Sequence, residues 1–130
     1  MKILIGYSGT SVSKAALSLA REHAQAFNAK VFIMTSMEGG SGETPKEIAR
    51  VEENLQEAEQ FMKEKGLDCE THQLARGLSP GEDLVRFAQD HAIDLIFVGI
   101  QKKSKTQKII LGSTAQYIIL KAPCPVTTVK

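Results

Sequence analysis

The length, composition and charge of the chain fit one compact domain over residues 1–130. Its 130 residues, 42% apolar and 24% charged, are enough for one hydrophobic core and exclude a second domain of ordinary size. The 16 basic and 15 acidic side chains leave a formal net charge of +1. This balance gives no overall attraction to nucleic acid or to a membrane surface, so any basic patch must be local.

Segments rich in β-branched residues alternate with segments of helical period along the chain. Strands are predicted at residues 2–7, 30–36, 68–75, 94–100 and 125–129. Apolar residues at helical spacing predict a first helix buried along Leu17, Ala20, Ala24 and Phe27, and a second along Ile48, Val51, Leu55, Ala58 and Met62. This alternation is typical of repeated βαβ units around a parallel sheet.

Two further helices have starting points that can be read from the sequence. Ser79 followed three residues later by Glu82 predicts a capping box at the start of the third helix. The fourth is expected to begin at Ser113, with Gln116 as the reciprocal partner, and to end before Pro123. The residues expected to be buried are Val85, Ala88 and Ala92 on the third helix, and Ala115, Ile118, Ile119 and Ala122 on the fourth.

The polarity of the strands predicts their order in the sheet. Residues 3–5, 31–34 and 95–98 are continuous apolar runs, which indicates strands buried on both faces, whereas residues 69–73 are polar enough for an edge. Right-handed crossovers then favour an open five-stranded parallel sheet of order 3-2-1-4-5, with helices on both faces in a three-layer, Rossmann-like α/β fold. A ligand crevice is expected between the first and fourth strands, bounded by Ser8, Gly9 and Thr10 on one side and by Gly99 on the other.

The segment between the fourth strand and the last helix carries the clearest chemistry. Gly112, Ser113 and Thr114 lie at the predicted start of the last helix, where free backbone N–H groups and a partial positive charge make them a candidate anion cradle. Four lysines concentrate positive charge in the same segment, namely Lys102, Lys103, Lys105 and Lys108. The alternative is a solvated basic loop that precedes an ordinary Ser N-cap.

Four blocks of the sequence resemble the universal stress protein family, in the family's order and over essentially the whole chain. They are residues 3–10, residues 94–99, Gly112 with Ser113, and residues 122–126. The resemblance implies an adenine nucleotide alpha hydrolase-like fold. Members that bind nucleotides share the pattern Gly, two residues, Gly, nine residues, Gly, Ser or Thr, and Gly99, Gly112 and Ser113 match it.

Two positions depart from the family pattern. Lys102 stands at the middle glycine, where it either blocks the phosphate site or strengthens it with its ammonium group. Ser8 stands where the family usually has Asp, and a hydroxyl is a poor Mg²⁺ ligand, so no metal is expected. Neither a P-loop nor the dinucleotide-binding glycine pattern occurs.

The remaining signals are structural. His23, His72 and His91 are scattered and are expected to pack or to lie at the surface. Cys69 and Cys124 belong to no metal or disulfide pattern and are expected to be reduced thiols. No signal peptide or membrane span is recognised, which predicts a cytoplasmic protein.

The leading hypothesis is a regulatory domain that binds ATP, AMP or a related anion, with its phosphates against residues 112–114 and its base bordered by Ser36 and Met37. The alternative is a dimeric stress-response interaction module whose crevice is empty. A slow ATPase is disfavoured because no nucleophile, general base or metal carboxylate is found near the motif. The resemblance and the open terminal edge strand also predict a homodimer through residues 125–129.

Overall fold

A computed structural model describes residues 1–37, 43–101 and 112–130. In these residues five strands alternate with four helices, as the sequence predicts. The strands are β1 (Lys2–Gly6), β2 (Lys30–Ser36), β3 (Cys69–Leu74), β4 (Leu95–Gly99) and β5 (Val126–Val129). The helices are α1 (Ser11–Phe27), α2 (Pro45–Lys63), α3 (Pro80–Asp90) and α4 (Ser113–Lys121).

The five strands form one parallel sheet in the predicted order β3-β2-β1-β4-β5. β1 lies at its centre, where Ile3 pairs with Val31 of β2 and with Leu95 of β4. The polar strand β3 lies at one edge, as the sequence predicts, and β5 lies at the other.

Two hydrophobic layers cover the two faces of the sheet. Ile3 and Ile5 of β1 pack in the layer that contains α1 and α2, whereas Leu4 packs in the layer that contains α3 and α4. Successive side chains of a strand point to opposite faces, so a strand covered on both faces has to be apolar throughout. This explains the continuous apolar runs of β1, β2 and β4.

Four predicted core positions are wrong, because each lies near or beyond an end of its helical stripe. Ile48, in the first turn of α2, is 38% exposed, and α2 buries only Leu55, Ala58 and Met62. Phe27 is 57% exposed, since α1 ends there and Asn28 turns the chain in the left-handed region at φ 52°, which leads Ala29 into the core instead. Ala92 also has φ 52° and follows the end of α3. Ile119 is 43% exposed because the short helix α4 buries only Ile118, and the next residue points about 100° away from it.

The predicted caps of α3 and α4 are also corrected. α3 begins at Pro80 as expected, but the Ser79 hydroxyl donates to the Glu82 carboxylate at 2.9 Å and caps no backbone N–H. The N-cap residue of α4 is Gly112, not Ser113. The start of α4 is therefore a glycine with no cap side chain.

The histidines and cysteines have packing roles, in line with the sequence. The His91 ring stacks on Phe87 with 3.8 Å between centroids, and His72 meets the same Phe87 ring edge-on at 4.9 Å. Burial raises the pKa of the Cys69 thiol to about 12, so that this free thiol is protonated and inert. None of the four helices described is both long and apolar enough to cross a membrane.

Candidate functional site

A crevice of about 490 Å³ opens at the carboxyl ends of β1 and β4, where the chain reverses its direction across the sheet. Small-molecule sites usually measure about 300–1,000 Å³, and open α/β sheets bind their ligands at this switch point. The predicted site residues that line it are Ser8, Thr10, Ser36, Gly99, Gly112, Ser113 and Thr114. The structure thus brings together residues from the ends of three strands and the starts of two helices.

The loop from β1 to α1 forms one wall of the crevice and satisfies its own polar groups. The Ser8 and Thr10 hydroxyls lie 3.2 Å apart, and the Ser13 hydroxyl donates to the Thr10 carbonyl at 3.0 Å. Thr10 is the N-cap of α1 and accepts from the Ser13 N–H at 3.3 Å. One free donor at the start of α1 is therefore already used.

Gly9 turns the chain behind this wall and is not among the residues that line the crevice. Its φ of +76° is strained for other residues, and a Cβ there would lie 2.6 Å from the side-chain nitrogen of Asn54. The requirement for glycine at this position thus comes from the turn, since the amide of Asn54 is the end of a flexible side chain that can move aside.

The opposite wall is the start of α4, and its backbone donors have no side-chain cap among the described residues. Gly112 has an ordinary extended conformation, with φ −63° and ψ 159°, and a Cβ there would meet no described atom within 4 Å. The other three helices described have a cap side chain or an acidic residue in the first turn, whereas α4 has neither. Its positive end consequently faces the crevice without compensation from the described chain.

Gly99 lies between the two walls, where packing already requires a glycine. A Cβ on Gly99 would lie 2.5 Å from the carbonyl carbon of Val12 and 2.7 Å from the backbone nitrogen of Ser13. Real Cβ atoms do not approach backbone so closely, so the end of β4 can meet the start of α1 only through a glycine. The match of Gly99 to the glycine pattern therefore has a structural reason that needs no ligand.

The end of β2 closes the crevice and is tied to a buried carboxylate, Asp83, and the partly exposed Arg76, a network that the sequence analysis missed. The Ser36 hydroxyl donates to Asp83 Oδ2 at 2.7 Å, and Arg76 Nε donates to Asp83 Oδ1 at 2.7 Å. A terminal nitrogen of Arg76 also contacts Oδ1, and the Asp83 side chain is fully buried. In the sequence, burial of Asp83 is indicated by its position four residues before Phe87, which puts both residues on the same side of α3.

Two other predicted site residues have no described place in the crevice. Met37 faces β3. Its N–H donates to the Leu74 carbonyl at 2.7 Å, and its sulfur accepts from Gln73 Nε2 at 3.2 Å. It is not among the described residues that line the crevice. Lys102 lies outside the described residues, together with the other three lysines of its segment.

The described lining has a neutral character. It contains no Asp, Glu, Lys, Arg or His side chain among the residues that the structure describes. Tyr7 is its titratable member there, and burial, followed by the nearby Glu57 carboxylate, raises the pKa of its hydroxyl. No group of three acidic, His or Cys side chains in the described ranges is arranged to hold a metal ion.

The open sheet of order 3-2-1-4-5 with a crevice at its switch point defines a Rossmann-like α/β domain. The chain matches the Universal stress protein family over residues 1–130 and belongs to that family. It is 32% identical to a universal stress protein of Methanocaldococcus jannaschii, over 99% of this chain and 81% of the relative.

Two solved structures from Archaeoglobus fulgidus have the same fold. One universal stress protein superposes with a TM-score of 0.89 at 31% identity, over 100% of this chain and 93% of its own. Another, solved in complex with dAMP, superposes with a TM-score of 0.83 at 28% identity, over 99% of this chain and 96% of its own. An adenine nucleotide is thus the ligand of a structural neighbour.

Proposed function

We propose that this protein is a regulatory domain that binds an adenine nucleotide, AMP or ATP, in the crevice at β1 and β4. The phosphates lie against the start of α4, at Gly112, Ser113 and Thr114, and the base lies toward Ser36 at the end of β2. Ser8 and Thr10 offer hydroxyls to the ribose from the third side. Free thiols at Cys69 and Cys124 agree with a reducing compartment such as the cytoplasm.

The observation that carries this proposal is the uncapped start of α4. An anion is held at a helix N-terminus by free N–H groups and by the helix dipole, and α4 alone among the described helices offers both without a cap or an acid in its first turn. No described atom lies within 4 Å of the place where a Cβ on Gly112 would stand, so the described residues leave room for a phosphate at these donors. The crevice volume and the dAMP complex of the structural neighbour support the same assignment.

Isothermal titration calorimetry with AMP, ATP and adenosine tests the assignment. Wild-type protein should bind both nucleotides more tightly than adenosine, because only the nucleotides reach the start of α4. In Gly112→Val the side chain occupies the phosphate position, so binding of AMP should fall to that of adenosine. If wild-type protein gives no binding heat with any of the three ligands, the alternative of an interaction module with an empty crevice is favoured. Unchanged AMP affinity in the variant would remove α4 from the site.

We further propose that the protein forms a homodimer through the outer edge of β5. The Ile96 N–H donates to the Pro125 carbonyl at 3.0 Å, and the Ile100 N–H donates to the Val129 carbonyl at 2.7 Å. Backbone groups alternate along a strand, so those of Val126 and Thr128 point away from β4 toward the open edge. On the preceding helix α4, Leu120 is 78% exposed and adds an apolar surface.

Light scattering on a Thr128 pair of variants tests the dimer. Thr128→Pro removes an outward N–H but no donor to β4, so it should give a folded monomer. Thr128→Ala keeps that N–H and should remain dimeric. A wild-type monomer at working concentration, or a dimeric Pro variant, would show that the outer edge of β5 is not the interface.

A further inference from the structure

Two residues at the end of β2 line the crevice with hydroxyl groups, and both hydroxyls already donate a hydrogen bond within the protein. Thr35 Oγ1 donates to the Tyr7 carbonyl oxygen at 2.7 Å, and Ser36 Oγ donates to Asp83 Oδ2 at 2.7 Å. A hydroxyl has one proton and two lone pairs. Toward a molecule in the crevice, these two oxygens can therefore only accept hydrogen bonds.

The direction of the Ser36 hydrogen bond is set by an ion pair behind it. Asp83 is fully buried, and Arg76 grips its Oδ1 through Nε at 2.7 Å and through a terminal nitrogen. A carboxylate in an ion pair has no proton to give back, so Ser36 has to be the donor. The position of Asp83 in the first turn of α3 also favours the negative charge, because the helix dipole is positive there.

We propose that Ser36 is a specificity-determining residue of the crevice and that Asp83 is the positioning residue that sets its polarity. This inference rests on the proposed function, which puts the base at the end of β2. A purine with a 6-amino group donates a hydrogen bond to Ser36 Oγ. A purine with a 6-oxo group in the same position brings a carbonyl oxygen against the lone pairs of Ser36 Oγ, and neither of these two atoms can donate; its N1–H donor lies at the neighbouring ring atom. The site therefore selects 6-aminopurine nucleotides over 6-oxopurine nucleotides.

Calorimetric titration with AMP and IMP measures this selection, because the two nucleotides share the ribose and phosphate and differ in the 6-substituent and the protonation of the adjacent ring nitrogen. Wild-type protein should bind AMP at least about tenfold more tightly, which is the scale of one unmatched polar group in a site. Ser36→Ala removes the acceptor and should bring the two affinities within about twofold of each other.

Two further variants separate polarity from structure. In Asp83→Asn the amide nitrogen can donate to Ser36 Oγ, which frees the hydroxyl proton for the ligand, so the preference should shrink or reverse in favour of IMP. Arg76→Lys loses the two-nitrogen grip on Asp83 but keeps a positive charge beside it. Asp83 therefore stays a carboxylate and Ser36 stays the donor, so the preference should stay at about tenfold. A purely structural role of the network would change the overall affinity or melting temperature in these variants but not the ratio. Should Asp83→Asn fail to fold, Ser36→Ala carries the test.

The possible failures of the two proposals can be told apart. Wild-type protein that binds neither AMP nor IMP would refute the proposed function itself. Wild-type protein that binds both with equal affinity, or a Ser36→Ala variant that keeps the tenfold preference, would overturn the role of Ser36 while leaving nucleotide binding in place.

Discussion

Substituting Asp for Gly112 should stabilise the fold and weaken nucleotide binding at the same time. Gly112 is the N-cap residue of α4, and its φ of −63° and ψ of 159° suit any residue. An Asp carboxylate at this position accepts from the N–H groups of the first turn. These are the donors that the proposal assigns to phosphate, so the cap and the ligand compete for the same atoms.

The expected magnitudes follow from the cap geometry. A charged cap, a favourable dipole interaction and the loss of glycine freedom in the unfolded chain together add about 1 kcal/mol to the free energy of unfolding. For a chain of 130 residues this raises the melting temperature by about 4 °C. Loss of two charge-assisted hydrogen bonds of about 1.5 kcal/mol each weakens AMP binding by about a hundredfold.

Differential scanning calorimetry and AMP titration of Gly112→Asp measure both effects. Gly112→Asn serves as the matched control, because it caps the same groups without the negative charge. The difference between the two variants in AMP affinity should diminish as salt is added. Adenosine should bind wild type and both variants alike. A stabilised Gly112→Asp variant that keeps its AMP affinity would refute the assignment of phosphate to α4.

Two further predictions concern stability. Gly99→Ala puts a Cβ 2.5 Å from the Val12 backbone, which cannot move aside, so the free energy of unfolding measured with denaturant should fall by about 1–3 kcal/mol. The control Gly112→Ala should change it by less than about 1 kcal/mol. Equal stabilities of the two variants would contradict the packing role of Gly99. Burial lowers the pKa of His72, whose Nε2 has no partner in the described chain, so stability should be complete above the unfolded pKa of 6.5 and decrease as the pH falls below it. The melting temperature of His72→Phe should fall less between pH 7.5 and 5.5, and an equal fall would exclude His72 as the cause.

Much of the fold could be predicted because it depends on local patterns. The apolar runs of β1, β2 and β4 and the polar run of β3 are direct consequences of burial on two faces or at an edge, and with right-handed crossovers they give the strand order. The predicted strands agree with the observed ones to within one residue at either end. Errors arose at helix ends, such as Phe27 and Ile119, where the periodicity continues but the element or its partner surface does not.

The arrangement of the site depends more on the tertiary structure than the strand order does. The apolar and polar runs of the strands, with right-handed crossovers, by themselves predicted a doubly wound sheet and a crevice between Ser8 and Gly99, because strand ends are marked locally in the chain. Only the fold decided that Gly99 is packed against α1 and that Met37 turns toward β3. The hydrogen bond between Ser36 and Asp83, which are 47 positions apart, likewise forms only once α3 packs beside β2. A hydrogen-bond direction depends on what lies within 3 Å, and residues distant in sequence supply that neighbourhood.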